Sequence, residues 1–174
     1  MVELASYINS HLESQGIFVT VSGGSAVQIY SNGLYTSKDI DMVDMYDESS
    51  NKIKKAMEEI GFIQEAKIKK YFKHPDSEYY IEFPLGPLGV GDEDISIEQT
   101  KTIKTEYGVV RILSATDSLK DRLSGYIFFK DKQNLAQAKD IIKVQKDNID
   151  FDDLERWLKN EKREDIMGLL LEDR

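Results

Sequence analysis

The chain has 174 residues, with 23 basic and 32 acidic side chains and a formal net charge of −9. That length suits one core, or one domain with a small helical appendage, and the acidity excludes a protein that coats nucleic acid nonspecifically. The sequence has no cysteine, hence no disulfide framework or thiolate metal site; no apolar run nears the ~20 residues that span a bilayer; with no secretory leader at Met1–Ala5, the expected location is the cytoplasm.

Residues 2–15 place Leu4, Ile8 and Leu12 at i, i+4 and i+8, an amphipathic helix that Gly16 ends. His11 has no ligand-spaced partner and reads as a surface position on that helix. Residues 17–21 form an apolar run, the profile of a short buried strand. The run breaks at Ser22-Gly23-Gly24-Ser25 and resumes with helical spacing through Ala26, Val27, Ile29 and Tyr30. Two glycines between strand and helix let the backbone turn sharply and approach a ligand. The free N–H groups of the new helix then favour phosphate.

Asn32-Gly33 marks a turn, and Lys38-Asp39-Ile40-Asp41-Met42-Val43 follows with acidic and apolar residues alternating. On a strand this puts Asp39 and Asp41 on one face, Ile40 and Met42 on the other. Two neighbouring carboxylates repel unless a cation lies between them, and Mg2+ or Mn2+ is the obvious candidate.

Residues 47–60 read as a helix stopped by Gly61, after which Phe62-Ile63 begins a strand. Next comes a basic and aromatic stretch with Lys67, Lys69, Lys70, Tyr71, Phe72 and Lys73. Strand alternation there would put Lys67 and Lys69 opposite Ile68. The stretch either steers a nucleotide or RNA acceptor or guards a sheet edge. Residues 78–84 form a strand rich in aromatic and β-branched residues, interrupted by Glu82. Residues 84–93 concentrate Pro and Gly and form a structured loop; without a Gly-Lys-Ser/Thr end it is no P-loop. Strands over 95–113 turn at Glu106-Tyr107-Gly108. From Ser114 on helices take over, at roughly 115–129, 132–146, 151–160 and 162–171. The organisation expected is α+β: a mixed-sheet domain over 1–113 and a helical subdomain over 114–174.

A Gly-Gly-Ser turn followed by Asp-x-Asp on the next strand resembles the signature of the nucleotidyltransferase superfamily, with its DNA polymerase beta-like fold. The wording GGSAV…Y…TSKDIDMV is most similar to small bacterial nucleotidyltransferase-like proteins, including those similar to the AbiEii-type toxin group. The run IEFPLGPLGVGDE extends the resemblance, and so does ATDSLKDRLSGYIFFKDKQNLAQAKDII with its Asp-Arg-Leu and Lys-Asp-x-Gln elements.

The resemblance implies transfer of a nucleoside monophosphate from an NTP to an acceptor hydroxyl on a tRNA, a protein or a small molecule. It implies a third carboxylate, best matched by Glu82, that joins Asp39 and Asp41 in holding Mg2+ or Mn2+ and in catalysis. The implied nucleotide-binding set is Ser22, Gly23, Gly24, Ser25, Lys38, Lys120, Arg122 and Asp131, with Gln133 also in the matching segment. Lys120 and Arg122 are two apart on a helix, about 200° around it, so they cannot face the same point. One would reach the triphosphate and the other would pair with Asp131, which serves equally well as the N-cap of the helix at Lys132. The alternative reading is a partner-binding protein that has lost turnover, a toxin–antitoxin component whose acidity mimics nucleic acid toward a basic protein partner.

Overall fold

The computed structural model describes residues 1–171. Its elements in order are α1 (Val2–Ser14), β1 (Val19–Ser22), α2 (Gly23–Tyr30), β2 (Asp39–Asp44), α3 (Ser50–Glu59), β3 (Ile63–Gln64), β4 (Tyr71–Lys73) and β5 (Tyr80–Glu82). Then come β6 (Gly89–Val90), β7 (Glu93–Asp94), β8 (Lys101–Thr105), β9 (Gly108–Ile112), α4 (Ala115–Phe129), α5 (Lys132–Gln145), α6 (Phe151–Asn160) and α7 (Asp165–Leu171). The fold is α+β, as the residue pattern leads one to expect.

Four of the helices begin where a side chain satisfies a free backbone N–H group. Ser49, Ser114, Asp131 and Asp150 cap α3, α4, α5 and α6, accepting from Lys52 N, Asp117 N, Gln133 N and Asp153 N. The Ser49 cap is why α3 begins later than the acidic run at residue 47 suggests. Among the described residues, no helix is long and apolar enough to cross a membrane.

Seven strands make one mixed sheet in the order β3-β4-β5-β2-β1-β9-β8. Pairing is parallel for β2 with β5 and for β1 with β9, and antiparallel for β1 with β2 and β4 with β5. Side chains alternate across the sheet. Val19, Val21, Ile40, Met42, Phe72 and Ile81 therefore face one way, into a core closed by Ala5, Ile8 and Leu12 of α1 and Ile53 and Met57 of α3. Each large aliphatic side chain fully buried there contributes about 1.5–3 kcal/mol relative to exposure. His11 is not idle: its Nε2 lies 2.9 Å from the Ala56 carbonyl oxygen and joins α1 to α3.

A second core gathers Val27 of α2 with Leu119 and Leu123 of α4, Ile141 of α5, Trp157 of α6 and Ile166 of α7. Helix α2 thus belongs to both halves of the molecule. Tyr30 ties them, donating from its hydroxyl to the Leu113 carbonyl at 2.6 Å. The Pro- and Gly-rich loop becomes the β6–β7 hairpin, seated on Val43 and Leu113 through Leu88, Val90 and Ile95.

One expectation fails. Lys67, Ile68 and Lys69 are not on a strand; they lie in the connection between β3 and β4, and all three are exposed. The sheet edge is β3, so these lysines do not line it.

Candidate active site

Register positions the acidic residues. Across the parallel pair, Asp39 stands opposite Tyr80 and Asp41 opposite Glu82; across β4–β5, Tyr71 stands opposite Glu82. Partners in register share a face. Asp39, Asp41, Tyr71, Tyr80 and Glu82 therefore line the face opposite the α1–α3 core. Asp39, Asp41 and Glu82 each offer a carboxylate oxygen, and these oxygens lie within 4.8 Å of one another.

The glycine turn closes over this cluster. Gly23 has φ +59, the left-handed region, and a Cβ on it would collide with the Asp41 carboxylate. Gly24 leaves room for Ser37 and Tyr35, whose Oγ and Oη would lie 3.1 and 3.2 Å from a Cβ there. Ser25 is fully buried: its hydroxyl donates to the Ser22 carbonyl at 2.7 Å and accepts from the Asp41 N–H at 3.1 Å. Its role is to fasten the turn to β2. Ser22 is the buried last residue of β1, opposite Asp41 in register.

Three more residues sit on the triad: Ser37, which the residue pattern does not single out, and Lys70 and Tyr71 of the basic and aromatic stretch. Ser37 donates from its hydroxyl to Asp39 Oδ1 at 3.0 Å and from its backbone N–H to Gln28 Oε1 at 2.7 Å. Its place two residues before Asp39, in the same alternation, is a signal that would have found it. Lys70 forms an ion pair with Glu82. Tyr71 donates a hydrogen bond to Glu82, and that bond, ahead of burial and the nearby carboxylates, pushes its phenol up to about 12.

The acidic cluster is electrostatically costly without a cation. Asp41 is pushed up to about 7, first by burial, then by Asp39 and Glu82, with Asp121 adding and Arg122 opposing. Hard oxygen donors, crowded and partly desolvated, are a set that suits Mg2+ or Mn2+.

The sequence-derived cations part company. Arg122 bonds Asp121 through Nε at 3.1 Å and reaches Asn134 Oδ1 and Gln137 Oε1 at 3.1 and 3.2 Å. With Asp121 it acts on Asp41, so it lies on the triad's side of α4. Lys120 is buried instead, 2.6 Å from Asp153, 3.6 Å from Glu93 and 4.0 Å from Asp117. Its charge is taken up by these structural pairs. Asp131 is exposed and caps α5, accepting from Gln133 N at 2.9 Å and Asn134 Nδ2 at 3.1 Å. Neither cation pairs with it. Among the described residues, Gln133 enters through its backbone N–H in that cap. Lys38 is exposed, just before β2.

No protein-family model and no curated protein matches this chain in sequence. Among solved structures it is similar to an antigenic nucleotidyltransferase-like protein from Paracoccidioides brasiliensis. That likeness has a TM-score of 0.56 at 15% identity and covers 82% of this chain and 74% of the other. The fold is therefore that of nucleotidyltransferase-like proteins. Looser likenesses are to the antibiotic-resistance factor ANT(2'')-Ia in solution (TM-score 0.48, 13% identity, 79% and 80% covered). The same factor in complex with adenylyl-2"-tobramycin gives a TM-score of 0.46 at 14% identity, with 78% and 84% covered.

Proposed function

We propose that this chain is a metal-dependent nucleotidyltransferase that moves a nucleoside monophosphate from an NTP to an acceptor hydroxyl. The observation that carries this is the meeting of Asp39, Asp41 and Glu82 on one sheet face, directly under the Gly23 turn. The acceptor oxygen forms a bond to the α-phosphorus and the bond from that phosphorus to the bridging oxygen breaks. Pyrophosphate leaves with the electron pair, and the hydroxyl proton passes to a carboxylate or to solvent.

In this reading Asp39, Asp41 and Glu82 hold Mg2+ or Mn2+, which supplies charge stabilisation to the transferring phosphoryl group. Ser37 orients Asp39, and Ser25 holds β2 against the turn. The turn at Ser22, Gly23 and Gly24 presents backbone N–H groups to the phosphates. Arg122, braced by Asp121, Asn134 and Gln137, offsets charge on the leaving group, and exposed Lys38 adds to it. Kinship with the AbiEii-type toxin group is part of the same proposal, supported by the GGSAV and IEFPLGP wording. The test is transfer of label from an α-phosphate-labelled NTP to cell-extract acceptors with Mg2+, against the same mixture in EDTA.

One observation favours the alternative. The Lys70–Glu82 ion pair already gives the third carboxylate a cation, as a domain that binds a partner without turning over would need. Absence of transfer despite NTP binding would support that reading.

A further inference from the structure

Beside the triad, on the same sheet face, lies a mostly apolar cavity of about 350 Å3 lined by Glu65, Lys67, Ile68, Tyr71 and Tyr80. It is at the small end of ligand pockets, sized for one ring system. Its aromatic walls stand at an angle: the Tyr71 and Tyr80 rings are 6.3 Å apart at 86°. Tyr80 is 39% exposed and Ile68 51% exposed, so both offer free apolar surface. The pocket adjoins the chemistry directly, because Tyr71 and Tyr80 are the register partners of Glu82 and Asp39.

The charge around this pocket runs against that of the molecule. Residues 66–73 hold four lysines and no acid, in a chain of net charge −9. Lys70 lies 5.4 Å from the Tyr71 ring centroid and Lys73 4.5 Å from that of Tyr80. Lys67 and Lys69 are exposed and their side chains make no ion pair among the described residues. The edge-guarding role is closed to them, since the edge belongs to β3. The acids facing the pocket are Glu65 and the triad itself. A polycationic acceptor would meet Lys67 in the wall and Lys70 and Lys73 against the two rings; an anionic, ring-bearing one would meet cations for its phosphates and rings for its base.

We propose that this cavity is the acceptor site of the transferase, and that it takes the ribose end of a single-stranded polynucleotide. This rests on the reading of the triad given above. The last base packs against Tyr80 and Tyr71, as bases do on aromatic platforms. Lys67 and Lys69 track the preceding phosphates, and the terminal ribose hydroxyl is delivered toward Glu82. A free nucleotide shares the same ring and phosphate and differs only in lacking upstream phosphates for Lys67 and Lys69.

Binding is measured apart from turnover, with the full chain in EDTA and a short fluorescent oligo(A) single strand as probe, across a salt series. The wild-type chain binds, and binding weakens with salt by a log–log slope of about −0.7 for each phosphate neutralised. Tyr80→Ala weakens it about tenfold or more at constant salt. Lys67→Ala with Lys69→Ala flattens the slope, and circular dichroism confirms that both variants fold. Unlabelled AMP competes only at far higher concentration than oligo(A). Equal competition by AMP would replace the polynucleotide with a free nucleotide and overturn the proposal. So would an absence of oligo(A) binding at low salt, or unchanged affinity and slope in both variants. NTP-dependent stabilisation is scored separately. If it is present without oligo(A) binding, only the acceptor assignment falls; if oligo(A) binds without it, the transferase reading falls.

Discussion

Glu82 stands directly opposite Asp41 across the parallel pairing of β2 and β5, with Asp39 two residues along on the same face. Three carboxylates from two strands are thereby brought together by sheet register alone. The site needs no mobile loop to assemble its acids, which makes its behaviour sensitive to a few single positions.

The first consequence is a pH dependence. Asp41 sits at about 7 in the folded, metal-free chain, against about 3.9 for an unfolded aspartate. Between those values the folded state keeps a proton that the unfolded state has lost, so stability falls as pH rises. The contribution of Asp41 is complete below about pH 4 and is lost as pH passes 7. The urea midpoint in EDTA should fall across that window more steeply for wild type than for Asp41→Asn. Parallel curves would remove the raised pKa from the account. Mg2+ competes for the same deprotonated carboxylate, so its affinity should rise up to about pH 7 and then level off.

Gly23→Ala tests the turn. The residue has φ +59 and its new methyl group would collide with the Asp41 carboxylate. Strain of about 1–3 kcal/mol is expected, together with weaker Mg2+ binding. Gly33→Ala, at a positive φ with open space around it, should lose stability and leave Mg2+ binding alone.

Lys70→Met removes the cation that pairs with Glu82. The lysine side chain is 48% exposed, so the stability change should stay within about 1 kcal/mol. Apparent Mg2+ affinity should rise severalfold, because a competitor for Glu82 has gone. Isothermal titration reads both proteins; a fall in affinity would mean that Lys70 supports the metal site rather than competing with it.

Lys120→Met separates structure from nucleotide binding. The side chain is 3% exposed and its charge is met by Asp153, Glu93 and Asp117. Leaving those acids without it should cost about 3 kcal/mol, with KM for NTP unchanged in the folded variant. A raised KM at unchanged stability would put Lys120 on the triphosphate after all.

Much of this arrangement was legible in the residues. The helix at 2–14 and the four after residue 114 show themselves through apolar spacing, and three of them also through Ser or Asp caps, which are local signals. Asp39 and Asp41 are legible because a strand's period of two is strict; Glu82 comes from the third carboxylate that the resemblance implies, matched to the acid that interrupts an aromatic strand. The contacts of Lys70 and Tyr71 were not legible, since what they touch depends on how β4 pairs with β5, a register no local pattern states. The same limit misled the reading of Lys67–Lys69, where alternation in a connecting segment imitates a strand. Helical geometry made it plain that Lys120 and Arg122 diverge, but not which one is buried. That was decided by acids from β7 and α6, far along the chain.

The most direct test of the central claim is the melting temperature of the chain with each common ribonucleoside triphosphate, in Mg2+ and in EDTA, for wild type and for Asp39→Asn with Asp41→Asn. A ligand that binds only the folded state adds about 2.7 kcal/mol at a hundredfold excess over Kd. The account predicts that at least one NTP stabilises wild type in Mg2+ and far less in EDTA. It predicts that the double variant, at least as stable as wild type in EDTA because a carboxylate repulsion has been removed, shows no Mg2+-dependent gain. No stabilisation of wild type by any NTP, or the same Mg2+-dependent gain in the double variant, would contradict it.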